Sequence, residues 1–496
     1  MNISEKTNSM LINATAFIFS AALLAASAAS AFIMNTGEHI FFRWYRLMIT
    51  PCPLVTDYFS LSGLSTTLLN AGACGMICVI FMLLLKGRST SNTLAGFFLV
   101  IAHCFYGLNL LNMLPCFLAP FIYLRIKKLN FKENLAICMF STAFGPFLSE
   151  LLFRYTQQSG YIFGQANLTV SGIIYSLLFI VTLAFIIPAI LPGAKRWHKG
   201  YNLYNGGMAF GIFGFFLYSL VYRTFNVPAP TIVNIINLNY ESAGHSYPVF
   251  CNIMLGSIFL LCLVLGFMLN GFSFSGYRSL IKSTGFSTDF SSEFGMPLCM
   301  INIGIYGFMF LIYMNLIIHF TNGAGFTAPT VGVILASLTF TAMGQHPRNV
   351  WPIMAGYVLL YMIVSVFSML QGKGSSWTIS SQTYINGVAF ATGLCPIVGR
   401  YGRRAGILAG VLCAAMCSAT KDLHGGLMLY NGGLTAGLTA IILVPVLEHY
   451  LPEGTRDEMP PIRPAAAFTA AASGSQDVSH QDSEVPDPDD TTDPAI

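Results

Sequence analysis

The sequence predicts an all-α, polytopic membrane protein made of two inverted-topology repeats, each with a broken or re-entrant helix pair. Three observations carry that expectation. The chain of 496 residues is 55% hydrophobic and only 9% charged, where soluble chains carry about 25% charged residues. It holds many apolar runs of about 20 residues, the length a spanning helix needs, rather than the short alternating segments of a β-barrel. A polar, glycine-rich string also occurs twice. Residues 198–211 read HKGYNLYNGGMAFG and residues 424–437 read HGGLMLYNGGLTAG, with eight of fourteen positions identical in register. Each copy opens an apolar segment.

The elements follow in order. Leu11 to Met34 is apolar and alanine-rich. One lysine, Lys6, precedes it, so it reads as a retained first span rather than a cleaved signal. Residues 39–49, HIFFRWYRLMI, mix aromatics with arginines and suit an interfacial helix. A second span covers 61–85. Residues 93–125 are too long for one span and short for two, and their centre, Gly107 to Pro120, holds two asparagines and two prolines. Proline breaks the helical ladder, and broken backbone at membrane depth is tolerated only where protein or a wet cavity satisfies it. The expectation is a helix and a return segment. Spans near 134–153, 168–192 and 201–222 complete the first half, and a span near 248–270 has no counterpart by sequence. The second half has a span at 295–319, a broken pair over 325–371 with its break at Gly344 to Pro352, and spans near 382–398, 405–421 and 426–447.

Domain limits are therefore expected at 1–60 (first span and interfacial segment), 61–222 (repeat 1), 223–293 (linker with an extra span), 294–450 (repeat 2) and 451–496. This last stretch holds ten of the 20 acidic residues and is expected to be a disordered, solvated tail.

The duplication extends beyond the doubled string. Asn70-Ala-Gly-Ala-Cys-Gly75 matches Asn302-Ile-Gly-Ile-Tyr-Gly307. Gly107, Asn112 and Pro115 match Gly344, Asn349 and Pro352 with equal spacing, and FSTAFGP from Phe140 matches FATGLCP from Phe390.

Charge sets the orientation. With Lys86 and Arg88 inside, 15 lysines and arginines fall on the inner side and six on the outer, as the positive-inside rule demands. Both termini are then cytoplasmic, in a cell membrane. Equivalent spans are separated by an odd number of crossings, so the halves run in opposite directions, a plan transporters use to place a site at mid-depth.

The candidate substrate-binding set is Tyr204, Asn205, Tyr430, Asn431, Asn112, Asn349, Arg348 and Glu150. Paired glycines allow close approach, and asparagine offers both a donor and an acceptor to a solute losing its water. The alternative for the same glycines is helix packing, since Gly207 with Gly211 and Gly433 with Gly437 form small-xxx-small faces. Asn112 and Asn349 either line a pathway or cap a turn. Arg348, if at depth, needs an anionic partner. Glu150 is either paired near a span end or a proton-coupling group, and the repeat places Arg400 in its position. His103 is a buried hydrogen-bonded histidine or part of the pathway. The 12 cysteines lie mostly in apolar runs without metal-site spacing. No nucleophile elbow, Walker loop, HExxH or CxxC pair appears. No metal, cofactor or nucleic-acid partner is expected.

On its YNGG repeats and HPRNVWP break, the membrane part resembles an uncharacterised family of bacterial multi-pass proteins with a domain of unknown function. More distantly, Gly200, Tyr204, Asn205, Gly206 and Gly211, with Gly426, Tyr430, Asn431, Gly432 and Gly437, are similar to the glycine-aromatic-Asn-Gly stretches of urea transporters. The Asn-Pro-x-Ser/Thr-Gly element of that family is absent, and NAGACG and NIGIYG stand roughly in its place. This resemblance implies two inverted halves, a small-solute pathway in each protomer, and homo-oligomers. The leading expectation is a channel or facilitator for a small polar solute. The alternatives are a membrane enzyme acting on a lipid, with Glu150, His346 and Arg348 converging, and a membrane sensor or scaffold.

Overall fold

A computed structural model describes residues 4–84, 86, 88–157, 160–233, 237–373 and 377–451. The acidic tail from 452 lies outside them. Among the described residues all regular structure is helical, and nine helices are long and apolar enough to cross a membrane. The chain is thus a multi-pass helical membrane protein.

The first half comprises α1 (Glu5–Ile33), α2 (Ile40–Met48), α3 (Tyr58–Ser62), α4 (Leu64–Leu83), α5 (Ser91–His103), α6 (Leu110–Ile126), α7 (Phe131–Ser141), α8 (Gly145–Phe153), α9 (Val170–Trp197) and α10 (Asn205–Tyr218). The short α11 (Leu238–Ser242) follows. The second half comprises α12 (Pro248–Leu269), α13 (Tyr277–Leu280), α14 (Phe290–Glu293), α15 (Met296–Phe320), α16 (Ala328–Ser337), α17 (Pro347–Leu370), α18 (Gln382–Ala391), α19 (Cys395–Met416), α20 (Thr420–Leu423) and α21 (Asn431–Tyr450). Within α19, Gly402 (φ 86°, ψ 177°) bends the chain sharply. That one residue does the work of the connection between α8 and α9 in the first half.

The repeated asparagine-glycine strings organise the packing. On α4, a Cβ at Gly72 would lie 2.7 Å from Leu24, and one at Gly75 would lie 2.6 Å from Ser20. The missing side chains let α1 settle against α4. On α15, Cβ atoms at Gly304 and Gly307 would each lie 2.7 Å from α12, against Leu263 and Phe259. The span near 248–270, without a counterpart by sequence, therefore sits on α15 as α1 sits on α4.

The breaks differ from expectation in position. Non-helical backbone covers residues 104–109 and 338–346, while Pro115 and Pro120 lie inside α6 and Pro352 inside α17. Pro115 and Pro352 are each the sixth residue of their helix, so each removes one helical N–H just past the first turn, at the end already opened by the break.

Contacts between loops sort the helix ends into two groups. At one end of the bundle, Arg88 pairs with Glu133 at 3.7 Å, Ser91 bonds Asp289, the Met296 amide donates to Asn8, and Lys199 pairs with Glu448. At the other end, Asp57 bonds Tyr240 and the Ala328 amide, Arg154 donates to the Thr231 carbonyl, and Thr321 bonds Ser380. Both ends of the α5–α6 unit lie in the first group, and α16 begins in the second. All 12 cysteines are buried.

Candidate functional site

Each break is closed by side chains from its own repeat. In the first, Asn109 caps α6, its Oδ1 accepting from Leu111 N at 3.0 Å and Asn112 N at 3.1 Å. Asn112 returns the contact through Oδ1 to Asn109 N at 2.8 Å, and its Nδ2 donates to the Gly107 carbonyl and to Ser149 Oγ. In the second, His346 takes the capping place. Its Nδ1 accepts from Asn349 N at 3.3 Å, and its Nε2 meets the Ser283 carbonyl at 2.9 Å. Accepting at Nδ1 fixes the proton on Nε2, which donates to that carbonyl. Asn349 Oδ1 accepts from His346 N at 3.0 Å, and Nδ2 donates to the Gly344 carbonyl at 2.8 Å. Asn112 and Asn349 are thus engaged as the reciprocal partners of two capping boxes.

The preceding helix of each half reaches into the same break. Asn70 Nδ2 donates to the Cys104 and Leu108 carbonyls, both at 2.9 Å, and Asn302 Nδ2 donates to the Thr341 and Gln345 carbonyls at 2.8 and 2.7 Å. Each asparagine also accepts from an aromatic side chain on a short connecting helix, Trp44 on α2 and Tyr277 on α13. Carbonyls released from the helical ladder are thereby satisfied without water.

The doubled motifs meet each other between the breaks. A Cβ on Gly207 would fall 2.4 Å from the Gly433 Cα, and one on Gly433 would fall 2.9 Å from the Gly207 Cα. The starts of α10 and α21 therefore touch backbone to backbone. Leu203 N donates to the Gly393 carbonyl and Leu429 N to the Ala143 carbonyl, each at 2.9 Å, so each motif is stitched to the FSTAFGP-type turn of the opposite half. The motif histidines turn inward: His424 Nε2 bonds Asn431 Oδ1 at 3.0 Å. Asn205 and Asn431 are only half-buried.

Around this contact lies an aromatic cage. Tyr204 stands edge-on to Phe340 at 4.6 Å and to Phe390 at 5.2 Å, and donates to the Ala336 carbonyl at 2.9 Å. Tyr430 packs on His103 at 5.2 Å and stacks on Phe210 at 5.8 Å. By repeat spacing His103 occupies the place of Phe340, so a histidine replaces an apolar ring on one side only. His103 Nδ1 donates to the Leu99 carbonyl at 2.6 Å. A carbonyl only accepts, so the neutral ring presents a lone pair at Nε2. Among the described residues, His103 Nε2 and the buried hydroxyls of Tyr106, Tyr306 and Tyr430 make no well-formed hydrogen bond.

Glu150 lies apart from the cage. It forms a buried ion pair with Arg154 one turn away, Arg154 Nε donating to it at 3.0 Å. Arg400, at the equivalent place in the other half, is 8% exposed and lies over the Phe286 ring at 4.2 Å and the Tyr201 ring at 5.4 Å. Arg348 is exposed on the first turn of α17. Glu150 is held by Arg154 and His346 by Ser283, on different elements.

The family described as "Protein of unknown function (DUF1576)" matches residues 36–223 and 269–449. The chain belongs to the DUF1576 family. The two matched stretches fall one on each half. They leave out α1 and nearly all of α12, the two helices that pack on the asparagine-glycine strings. No curated protein and no solved structure matches the chain.

Of the residues singled out by sequence, the structure brings Tyr204 and Tyr430 into one cage. Asn112 and Asn349 become braces behind it, Asn205 and Asn431 lie at its edge, and Glu150 and Arg348 stand outside. Tyr106 and Tyr306 went unnoticed by sequence because a lone tyrosine in an apolar run carries no pattern. The spacing between repeats was the available signal for His103, since it sets a histidine against Phe340.

Proposed function

We propose that the protein is a channel or facilitator for a small polar solute, with a pathway between two inverted repeats of a cell-membrane protein whose termini are cytoplasmic. The observation that carries this reading is the group of buried polar atoms at the cage without a well-formed hydrogen bond: His103 Nε2 and the hydroxyls of Tyr106, Tyr306 and Tyr430, of which only Tyr106 has no polar group in loose reach. A polar atom left without a partner in a dry interior costs about 1–3 kcal/mol. A small molecule with both donors and acceptors would satisfy these atoms while passing between the halves.

Three observations support the inverted arrangement. The helix ends group as the charge count expects. α4 starts at the end holding Arg43 and Asn237, whereas α15 starts at the end holding Asn8. The broken pairs start from opposite ends. Assembly into homo-oligomers belongs to the same reading.

Flux in proteoliposomes tests it, with urea, formamide and glycerol as probes. Tyr430→Phe removes cage polarity without removing a well-formed hydrogen bond, so flux falls at least about tenfold with thermal stability kept, whereas His103→Phe lowers flux likewise but also loses the Nδ1 bond to the Leu99 carbonyl and melts lower. Asn205→Ala and Asn431→Ala, at the rim, give smaller losses. Equal flux in wild type and all four variants refutes the site. Absence of flux for every probe refutes the transport reading.

A further inference from the structure

A second site lies away from the cage, on the outer flank of the first half. α6, α8 and α9 enclose a cavity of about 180 Å³. Its walls are leucine, isoleucine, Pro115 and Phe153, and its polar floor consists of Asn112, Ser149 and Ser176. Its rim includes Leu111, Ile173 and Leu177, all exposed, so it opens to whatever surrounds the bundle. For these apolar helices that medium is hydrocarbon.

The depth follows from the fold. α5 has 13 residues and is about 20 Å long at about 1.5 Å per residue. The hydrocarbon layer is about 30 Å thick. Asn112, in the first turn after the break, therefore lies well inside it.

The polar floor has unused capacity. Ser176 is 5% exposed and its hydroxyl has no hydrogen-bond partner among the described residues. Ser149 accepts from Asn112 at 2.9 Å and keeps its own proton for another bond. Pro115, also lining the cavity, has no N–H, so the Leu111 carbonyl lacks its usual helical donor. Ser149, Ser176 and Leu111 thus all line the same apolar space.

We propose that this cavity binds the ring of an uncharged, lipid-soluble phenol, with its alkyl substituents directed outward between α6 and α9. No lining side chain is ionisable, so a charged guest would find no counter-charge. An apolar cavity of about 150 Å³ holds a benzene-sized guest, and this one is slightly larger. The phenolic oxygen accepts from Ser176 and its proton goes to the Leu111 carbonyl. A phospholipid tail carries no oxygen at this depth.

The test is photolabelling of the full-length protein in phosphatidylcholine liposomes with a diazirine-bearing alkylphenol, using unlabelled 2,6-dialkylphenol as competitor. Saturable label is expected on peptides from 110–126 and 170–197. Ser176→Ala removes only an unpartnered hydroxyl, and is expected to weaken apparent affinity roughly fivefold to tenfold, the worth of one hydrogen bond. A second measurement needs no variant: on the wild type, the methyl ether and the alkylbenzene should compete at least fivefold more weakly than the phenol. Unsaturable label spread over α1, α12 and α17, or equal competition by phenol and alkylbenzene, overturns the proposal. The cage plays no part in this readout, so loss of flux and loss of labelling are separate results.

Discussion

At the scale of single residues, the asparagines divide by what they hold. Asn70 and Asn302 each cover two carbonyls that a broken helix has released. Asn70→Ala would leave the Cys104 and Leu108 carbonyls unpaired in a fully buried place, at about 1–3 kcal/mol each. Its melting temperature in detergent should fall by several degrees, roughly 2–4 °C per kcal/mol for a large domain. Asn205→Ala, half-buried at the rim, should change it by less. Equal losses in the two variants would show that the tie to the break is not special. This distinction was hidden in the sequence. The matching NAGACG and NIGIYG strings revealed a repeat, but the acceptors of Asn70 lie 34 and 38 residues further on, and backbone carbonyls leave no mark in composition.

At the scale of elements, the paired glycines of each YNGG string do different things. In the first string only the second glycine makes a close approach; in the second both do, a Cβ on Gly432 lying 2.5 Å from Phe390 and one on Gly433 2.9 Å from the Gly207 backbone. Gly207→Ala would place a Cβ 2.4 Å from the Gly433 backbone, whereas the nearest neighbour of a Cβ on Gly206 is 3.6 Å away. Backbone cannot step aside as a side chain can. Gly207→Ala should therefore destabilise by about 1–3 kcal/mol, the range for overpacking, and Gly206→Ala should be tolerated. Thermal unfolding of the two variants side by side checks this. The spans themselves were legible, because an apolar run of about 20 residues is set by bilayer thickness. The break positions were less so: prolines marked the neighbourhood, but the caps Asn109 and His346 set the helix starts. The partnership of α1 with α12 escaped because the residues that permit it lie on α4 and α15.

At the scale of the molecule, one half-buried carboxylate ties three segments together outside the spans. Asp57 accepts from Phe59 N and Ala328 N, at 3.0 and 3.1 Å, and from the Tyr240 hydroxyl at 2.5 Å. Burial raises its pKa above the usual carboxylate value, against the lowering effect of those bonds. A group with a raised folded pKa contributes stability that is present below its unfolded value, about 3.9, and is lost as pH rises through the folded value. Asp57→Asn should gain stability relative to wild type as pH rises from the unfolded value, about 3.9, through the folded one. Parallel melting curves across that range would exclude Asp57 as the source. Its neutral side chain keeps an acceptor for the two amides, so the tie itself should survive.

The contact between Gly207 and Gly433 also bears on kinetics. Two halves that touch main chain to main chain have no slack for one to rock past the other. Passage would then depend on ring rotation at Tyr204, Tyr430 and His103, which leaves the frame fixed. A fixed frame does not return empty or loaded, so solute on the far side should neither speed nor slow uptake. Counterflow in preloaded proteoliposomes measures this directly. Uptake independent of preloading is expected, and acceleration by trans solute would require the glycine contact to open in every cycle.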